Sequence, residues 1–233
     1  MYSHPRNYIL LLLILFNLNI GCNWSAPNKS ETPKNLNQKV IYLPAPLLKS
    51  NTSIEEALLS RRSVINFSDA PLEIQEIAQL LWAAQGITSK NKAGRTAPSA
   101  GALYPLEIYL VSHHINSIPQ GVYHYRPSGH SLIMINNNSL SAASMQASFN
   151  RSAAVIVIAA EFHRTTKKYA ERGIRYVQME AGHAAQNICL QAVSFNIGAV
   201  TIGSFSDSIV KQMLGLPESE VPLYLIPAGK KRH

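Results

Sequence analysis

Two prolines bracket a run of small and hydroxyl residues in Arg95-Thr96-Ala97-Pro98-Ser99-Ala100-Gly101-Ala102-Leu103-Tyr104-Pro105, immediately before the strand-like Leu106-Glu107-Ile108-Tyr109-Leu110-Val111. Each proline fixes its own φ and pushes the preceding residue out of the helical region, so the stretch is a shaped loop rather than part of a helix. Between the prolines, small side chains let a flat ligand approach the backbone, with Ser99 and the local N–H groups as hydrogen-bond partners. Taken alone, the same residues describe an ordinary loop entering a strand.

The surrounding pattern predicts an α+β domain. Ser53-Ile54-Glu55-Glu56 reads as a capping box opening a short helix that ends near Arg61-Arg62. A second helix is predicted from Pro71 to Gln85, with Leu72, Ile74, Ile77, Leu80, Leu81 and Ala84 as its apolar stripe and Gly86 as its stop. Strands are predicted at 106–111, 121–125 and 131–135, the last two joined by a turn at Pro127-Ser128-Gly129. The apolar run Ala153 to Ala160 reads as a buried strand. A long helix follows over about Tyr169 to Phe195, and its small-residue face (Ala181, Ala184, Ala185, Ile188, Cys189, Ala192) permits close packing in a core or across a dimer. Strands at Ala199 to Ile202 and Leu223 to Pro227 flank a helix over Asp207 to Leu214. Helices and strands mixed without strict alternation place the chain in the α+β class.

At 233 residues, 46% hydrophobic and 15% charged, the chain can bury one large core. Its formal charge of +8 raises the question of nucleic acid, but no helix-turn-helix, zinc-finger or aromatic-basic pattern accompanies it. No nucleic-acid partner is expected. A basic surface suits an anionic cofactor or an anionic lipid equally well.

Residues 1–22 read as an export signal: Arg6 supplies the positive region, and Ile9 to Phe16 is an apolar run of eight. A bilayer span needs about 20 residues, so this run suits a signal-peptide core instead. Leu18-Asn19-Ile20-Gly21-Cys22 looks like a lipoprotein processing site, which makes Cys22 the candidate for lipidation and the membrane the expected location. Asn19 departs from the aliphatic residue usual at its position. Residues 23–50, polar at their start, are expected to be a flexible tether, with the folded domain at 51–233. Cys189, the other cysteine, sits in an apolar helical pattern and reads as a small core residue.

Four blocks in order carry a family resemblance: Ser60-Arg61-Arg62-Ser63-Val64; the Pro98–Pro105 loop; Lys168-Tyr169-Ala170-Glu171-Arg172 running into Glu180-Ala181-Gly182-His183-Ala184-Ala185-Gln186-Asn187; and Ile202-Gly203-Ser204-Phe205. From about Ile54 to Gly229 the chain resembles FMN-dependent nitroreductases, in the form carried by SagB/ThcOx-type dehydrogenases. The resemblance implies a nitroreductase-like fold, a mainly antiparallel central sheet flanked by helices, in a homodimer with two FMN sites built from both subunits.

By that resemblance Arg61 and Ser63 hold the FMN phosphate and ribityl chain, assisted by Arg62. Pro98, Ser99, Ala100 and Gly101 of the other chain lie against the flavin, and the backbone of Gly203 and Ser204 lies near N5. Arg232, in the basic tail, is a further phosphate-binding candidate. From the residues alone, Arg61-Arg62 is equally a solvated basic helix end favoured by the helix dipole. Lys168 and Tyr169 resemble the acid–base pair of azoline oxidases, working while hydride passes between a small-molecule or peptide-derived substrate and the flavin. Where the family carries a cation two residues after the Arg-Arg-Ser block, this chain has Ile65, so Arg95 or Lys168 must supply the charge or the flavin is harder to reduce.

Glu180-x-x-His183 lacks the second such pair a carboxylate–histidine metal site requires, and no metal is expected. Dinucleotide, Walker and nucleophile-elbow motifs are absent. Export removes the chain from any NAD(P)H pool, which favours a dehydrogenase passing electrons to oxygen or a membrane carrier. The competing expectation is a membrane-tethered binding protein on the same fold without redox turnover.

Overall fold

The computed structural model describes residues 39–89, 94–137 and 151–232. The segment expected to be an export signal, Cys22 and the start of the expected tether lie outside the described residues. Seven strands form one sheet: β1 (Val40–Tyr42), β2 (Leu106–Ser112), β3 (Gly121–Arg126), β4 (Ser131–Asn136), β5 (Ala154–Glu161), β6 (Ile197–Ala199) and β7 (Glu220–Lys230). Their order is β1-β4-β3-β2-β5-β7-β6, and every strand pair is antiparallel. Among the described residues five helices accompany it: α1 (Ile54–Ser60), α2 (Ile74–Gln85), α3 (His163–Tyr169), α4 (Arg172–Ser194) and α5 (Asp207–Leu214). The expected α+β architecture with a mainly antiparallel sheet is what the chain adopts.

Side chains alternate across the central strands and so build two cores. Leu106, Ile108 and Leu110 of β2 join Ile156 and Ile158 of β5 on the face covered by α2 and α4, while Tyr109 and Val111 join Val155 and Val157 on the face covered by α5. Both faces of β5 are therefore dry, which explains an unbroken apolar run where a half-exposed strand would alternate. Pro222 in β7 pairs with Ala159 where the β5–β7 register shifts between Ile158 and Ala159; a residue without an N–H is accommodated at such an irregularity. The small face of α4 (Ala181, Ala184, Ala185, Ile188, Cys189, Ala192) is buried in the core rather than left for a partner.

Among the differences from the sequence expectation, four bear on how the chain is laid out, while β7 also extends beyond the expected Leu223–Pro227 to Glu220–Lys230. Helix α2 starts at Ile74, because Glu76 reaches back to the Glu73 amide (2.8 Å) and fixes the first turn there. The expected single helix from Tyr169 is two helices broken at Ala170, whose φ of 49° and ψ of −143° leave the helical region. Gly173 makes the break compact: a β-carbon on it would stand 2.9 Å from the Thr166 backbone. The strand expected to run to Ile202 ends at Ala199, with Ile202 returning only as an isolated bridge to Leu225. Finally, β1 lies inside the 23–50 segment expected to be a tether: Val40, Ile41 and Tyr42 pair with Ile133, Leu132 and Ser131. Leu43 follows them into the core.

Candidate active site

The Pro98–Pro105 loop is anchored where α2 ends. A β-carbon on Gly86 would overlap the Trp82 ring at 2.1 Å, so glycine lets that ring lie over the helix end. The Trp82 carbonyl accepts from the Gly86 amide (2.7 Å) and from the Thr96 hydroxyl (3.0 Å), and the Thr96 amide returns to the Gly86 carbonyl at 2.9 Å. Beyond Pro98 the chain makes a single 3-10 turn over Ala100–Ala102. Gly101, Ala102 and Tyr104 hold positive φ values of 63°, 54° and 47°. Three such residues within four positions store strain that the surroundings must hold in place.

Helix α3 brings the chemistry to this loop. Arg164 in its first turn bonds Glu107 (2.5 Å) and Glu161 (2.7 Å) and donates to the Tyr104 carbonyl at 3.1 Å. Glu107 also pairs with His124 at 2.7 Å, and the two basic partners hold its carboxyl below the usual carboxylate range against the opposing effect of burial. Arg164 thus pins α3 to the end of the loop. Lys168 stands one helical turn later on the same side. Its Nζ lies 3.0 Å, and the Tyr169 hydroxyl oxygen 2.7 Å, from the point where a β-carbon on Gly101 would be. Lys168 Nζ is also 5.3 Å from the Tyr169 ring centre. Two residues expected to be catalytic and the glycine expected to face the cofactor therefore meet in one place. Pro98, Gly101 and Ala102 are exposed there, leaving a patch with little side chain on it.

A second group forms at the end of β6 and β7. Ser63 bridges Ala199, the Val64 amide donates to the Ala199 carbonyl (3.1 Å), Phe67 bridges Lys231, and the Arg232 amide reaches the Asn66 carbonyl at 3.4 Å. This lacing lays residues 63–67 and Arg232 along the β6–β7 edge of the sheet, with Arg61 two residues before Ser63. Among the described residues no carboxylate pairs with Arg61 or Arg232, so their charge is available to an anion. Arg62 is engaged differently: its guanidinium donates to the Leu59 and Arg61 carbonyls, both at 2.8 Å, and closes the end of α1. Lys230 of the basic tail is committed to Glu76. Gly203 and Ser204 are exposed just before α5. The nearest atom to a β-carbon on Gly203 would be on the Tyr224 ring at 4.0 Å, so its backbone is open to close approach.

The two groups sit against different parts of α4. Arg61 acts electrostatically on Cys189, whose thiol burial pushes up and Arg61 pulls down, whereas Ser99 bonds Glu180. Nine residues of helix separate these contacts, about 14 Å at 1.5 Å per residue. Ile65 belongs to the group beside β6 and β7: Val64 turns inward against Gly198, and Ile65 faces out at 56% exposure.

Glu180 is the residue whose surroundings sequence reasoning missed. Its spacing to His183 suggested only a metal pair, but its partners come from distant segments: Gln85 of α2 donates to it (3.4 Å) and Ser99 bonds it from the loop. Burial pushes its carboxyl up to about 7, with those two hydrogen bonds and the charge of Arg95 acting in the opposite sense. Arg95, offered as a substitute cation, is tied to Gln85 at 3.1 Å and lies 4.5 Å over the Tyr104 ring. It also lines, with Glu107, His124 and Arg164, a polar cavity of about 400 Å³.

Known proteins resemble this chain in sequence and in fold. The chain is 40% identical over 183 residues to a protein of Methanocaldococcus jannaschii named as a nitroreductase, covering 76% of this chain and 91% of the relative. It is 29% identical to the microcin B17-processing protein McbC of Escherichia coli, covering 79% and 73% of the two chains. Among solved structures, a nitroreductase-like protein of Ralstonia eutropha superposes with a TM-score of 0.76 at 26% identity, over 85% of this chain and 92% of that one. A chain of the E. coli microcin synthetase McbBCD complex, solved with truncated pro-MccB17 bound, superposes with a TM-score of 0.67 at 27% identity, over 85% and 80%. Residues 58–230 match the model of the nitroreductase family, and the chain is a member of that family.

Proposed function

We propose that this nitroreductase-family oxidoreductase is FMN-dependent and acts as a dehydrogenase on a peptide-derived or small-molecule substrate. The observation that carries the reading is the convergence of Lys168 and Tyr169 on Gly101, at an exposed loop almost free of side chains. The donor set suits FMN: Arg61, Ser63 and Arg232 offer two cations and a hydroxyl to a phosphate, and Ser99 to Gly101 offer backbone to a flat ring. Bound there, FMN would supply hydride exchange at N5. The protein's part is to hold substrate over the loop and to move a proton. Lys168 Nζ and the Tyr169 hydroxyl are the groups placed for that transfer, and their convergence speaks against a binding protein without turnover. The peptide-processing relatives favour a peptide-derived substrate.

In this reading the two groups along α4 belong to different sites of a homodimer, each site taking Arg61 and Ser63 from one chain and Ser99 to Gly101 from the other. Purified protein should be dimeric and yellow. Arg61→Ala with Ser63→Ala should release the flavin and leave the circular dichroism spectrum intact; retention of one FMN per chain would overturn the phosphate assignment.

We also propose, from residues 1–22 alone, that the protein is exported and lipid-anchored at Cys22. Mass spectrometry of the membrane-extracted protein should find a diacylated amino-terminal Cys22, and Cys22→Ser should accumulate the precursor. An unmodified Cys22 would overturn the anchor.

A further inference from the structure

Five side chains close a ring behind the site loop. The Ser99 hydroxyl oxygen accepts from the Tyr104 amide at 2.9 Å, and Ser99 bonds Glu180. Glu180 accepts from Gln85, whose carbonyl accepts from Arg95 (3.1 Å). Arg95 covers the Tyr104 ring at 4.5 Å, which returns the circuit to its start. The span from Ser99 to Tyr104 contains all three positive-φ residues of the loop. Nothing else in their own sequence favours that backbone at Ala102 and Tyr104, since neither is glycine. Glu180 and Gln85 are 2% and 0% exposed, so the ring is built into the core rather than laid on the surface.

We infer that this ring is the positioning device of the site, and that Glu180 is a positioning residue: it holds Gly101 at the spacing that Lys168 and Tyr169 require. The inference rests on the proposed function for its purpose but not for its test, which needs no cofactor. Buried polar groups joined in this way fix one geometry because each lost partner leaves another buried group unsatisfied.

The groups acting on Glu180 are Ser99 and Arg95 from the loop and Gln85 from α2, and all three oppose the burial that pushes its carboxyl up to about 7.

Amide hydrogen exchange of the flavin-free protein tests this, read at the Tyr104 amide that Ser99 accepts. Glu180→Ala should lower protection at least tenfold at pH 6 while the Val157 amide in β5 keeps its protection. Should Glu180→Ala fail to fold, Arg95→Met opens the ring from the other side without burying an unpaired charge and should give the same loss. Unchanged Tyr104 protection in a folded ring variant would overturn the inference. A ring that behaves as described in a protein that never binds flavin would instead refute the proposed function alone.

Discussion

Tyr169 and Gly101 are matched at the scale of one carbon atom: the phenol oxygen lies 2.7 Å from where a β-carbon on Gly101 would stand. Gly101 also has φ of 63°, so two separate reasons demand glycine. Gly101→Ala should cost about 1–3 kcal/mol of stability from the left-handed backbone. It should also push Tyr169 and Lys168 off the loop. Turnover is expected to fall by far more than stability accounts for, so thermal melting and steady-state rates measured together check the claim. A variant with near-normal turnover would mean the two side chains are not positioned by this contact.

The parts of this fold legible in the sequence are those fixed by local chemistry. Helix α5 runs Asp207–Leu214 as expected, because its stop is Gly215 at φ 67°. The β3–β4 hairpin turns at Pro127–Gly129 as expected. The break at Ala170 was not legible, since alanine carries no signal for φ 49° and the residue that permits the fold-back, Gly173, comes three positions later. The partners of Glu180 were not legible for a related reason. Spacing reveals helical neighbours such as His183, whereas its true partner Gln85 is 95 positions away and only the packing of α2 on α4 brings them together. Arg62 shows the converse: the blander reading as a helix-end cation is the one its hydrogen bonds support.

If Lys168 and Tyr169 move the proton, removing one should slow chemistry without loosening the cofactor. Tyr169→Phe keeps the ring stacked edge-on against Tyr176, whose centre is 5.2 Å away, and deletes only the hydroxyl. General acid–base groups contribute about 10²–10⁴-fold, which is the expected fall in kcat for Tyr169→Phe with FMN content unchanged. Equal losses of rate and of flavin would recast Tyr169 as a binding residue.

Gly182 has no packing reason within its own chain, since a β-carbon there would meet nothing within 4 Å. A mid-helix glycine costs roughly 1 kcal/mol relative to alanine. Its neighbours on α4, Ile174 and Met179, are 43% and 47% exposed. A second copy lying closely along this helix would account for all three. Gly182→Ala should raise the stability of the isolated fold by up to about 1 kcal/mol. Gly182→Leu should weaken the dimer at least tenfold by sedimentation equilibrium, and an undiminished dimer would place the interface elsewhere.

Ile65 faces outward two residues after Ser63, at the position where the family resemblance leads to the expectation of a cation. Two-electron reduction places negative charge on the N1 side of a flavin, and a positive side chain nearby would stabilise it. The alternatives for that charge are reduced here, because Arg95 is held by Gln85 and Tyr104. Ile65→Arg should therefore raise the midpoint potential. At a position 56% exposed, solvent screens the pair. A gain of about 0.2–1 kcal/mol is then reasonable, equivalent to roughly 5–20 mV for a two-electron couple. Spectroelectrochemical titration of both proteins decides the matter. An unchanged or lowered potential in Ile65→Arg would mean that Lys168, or a cation from the second subunit, already serves the N1 edge.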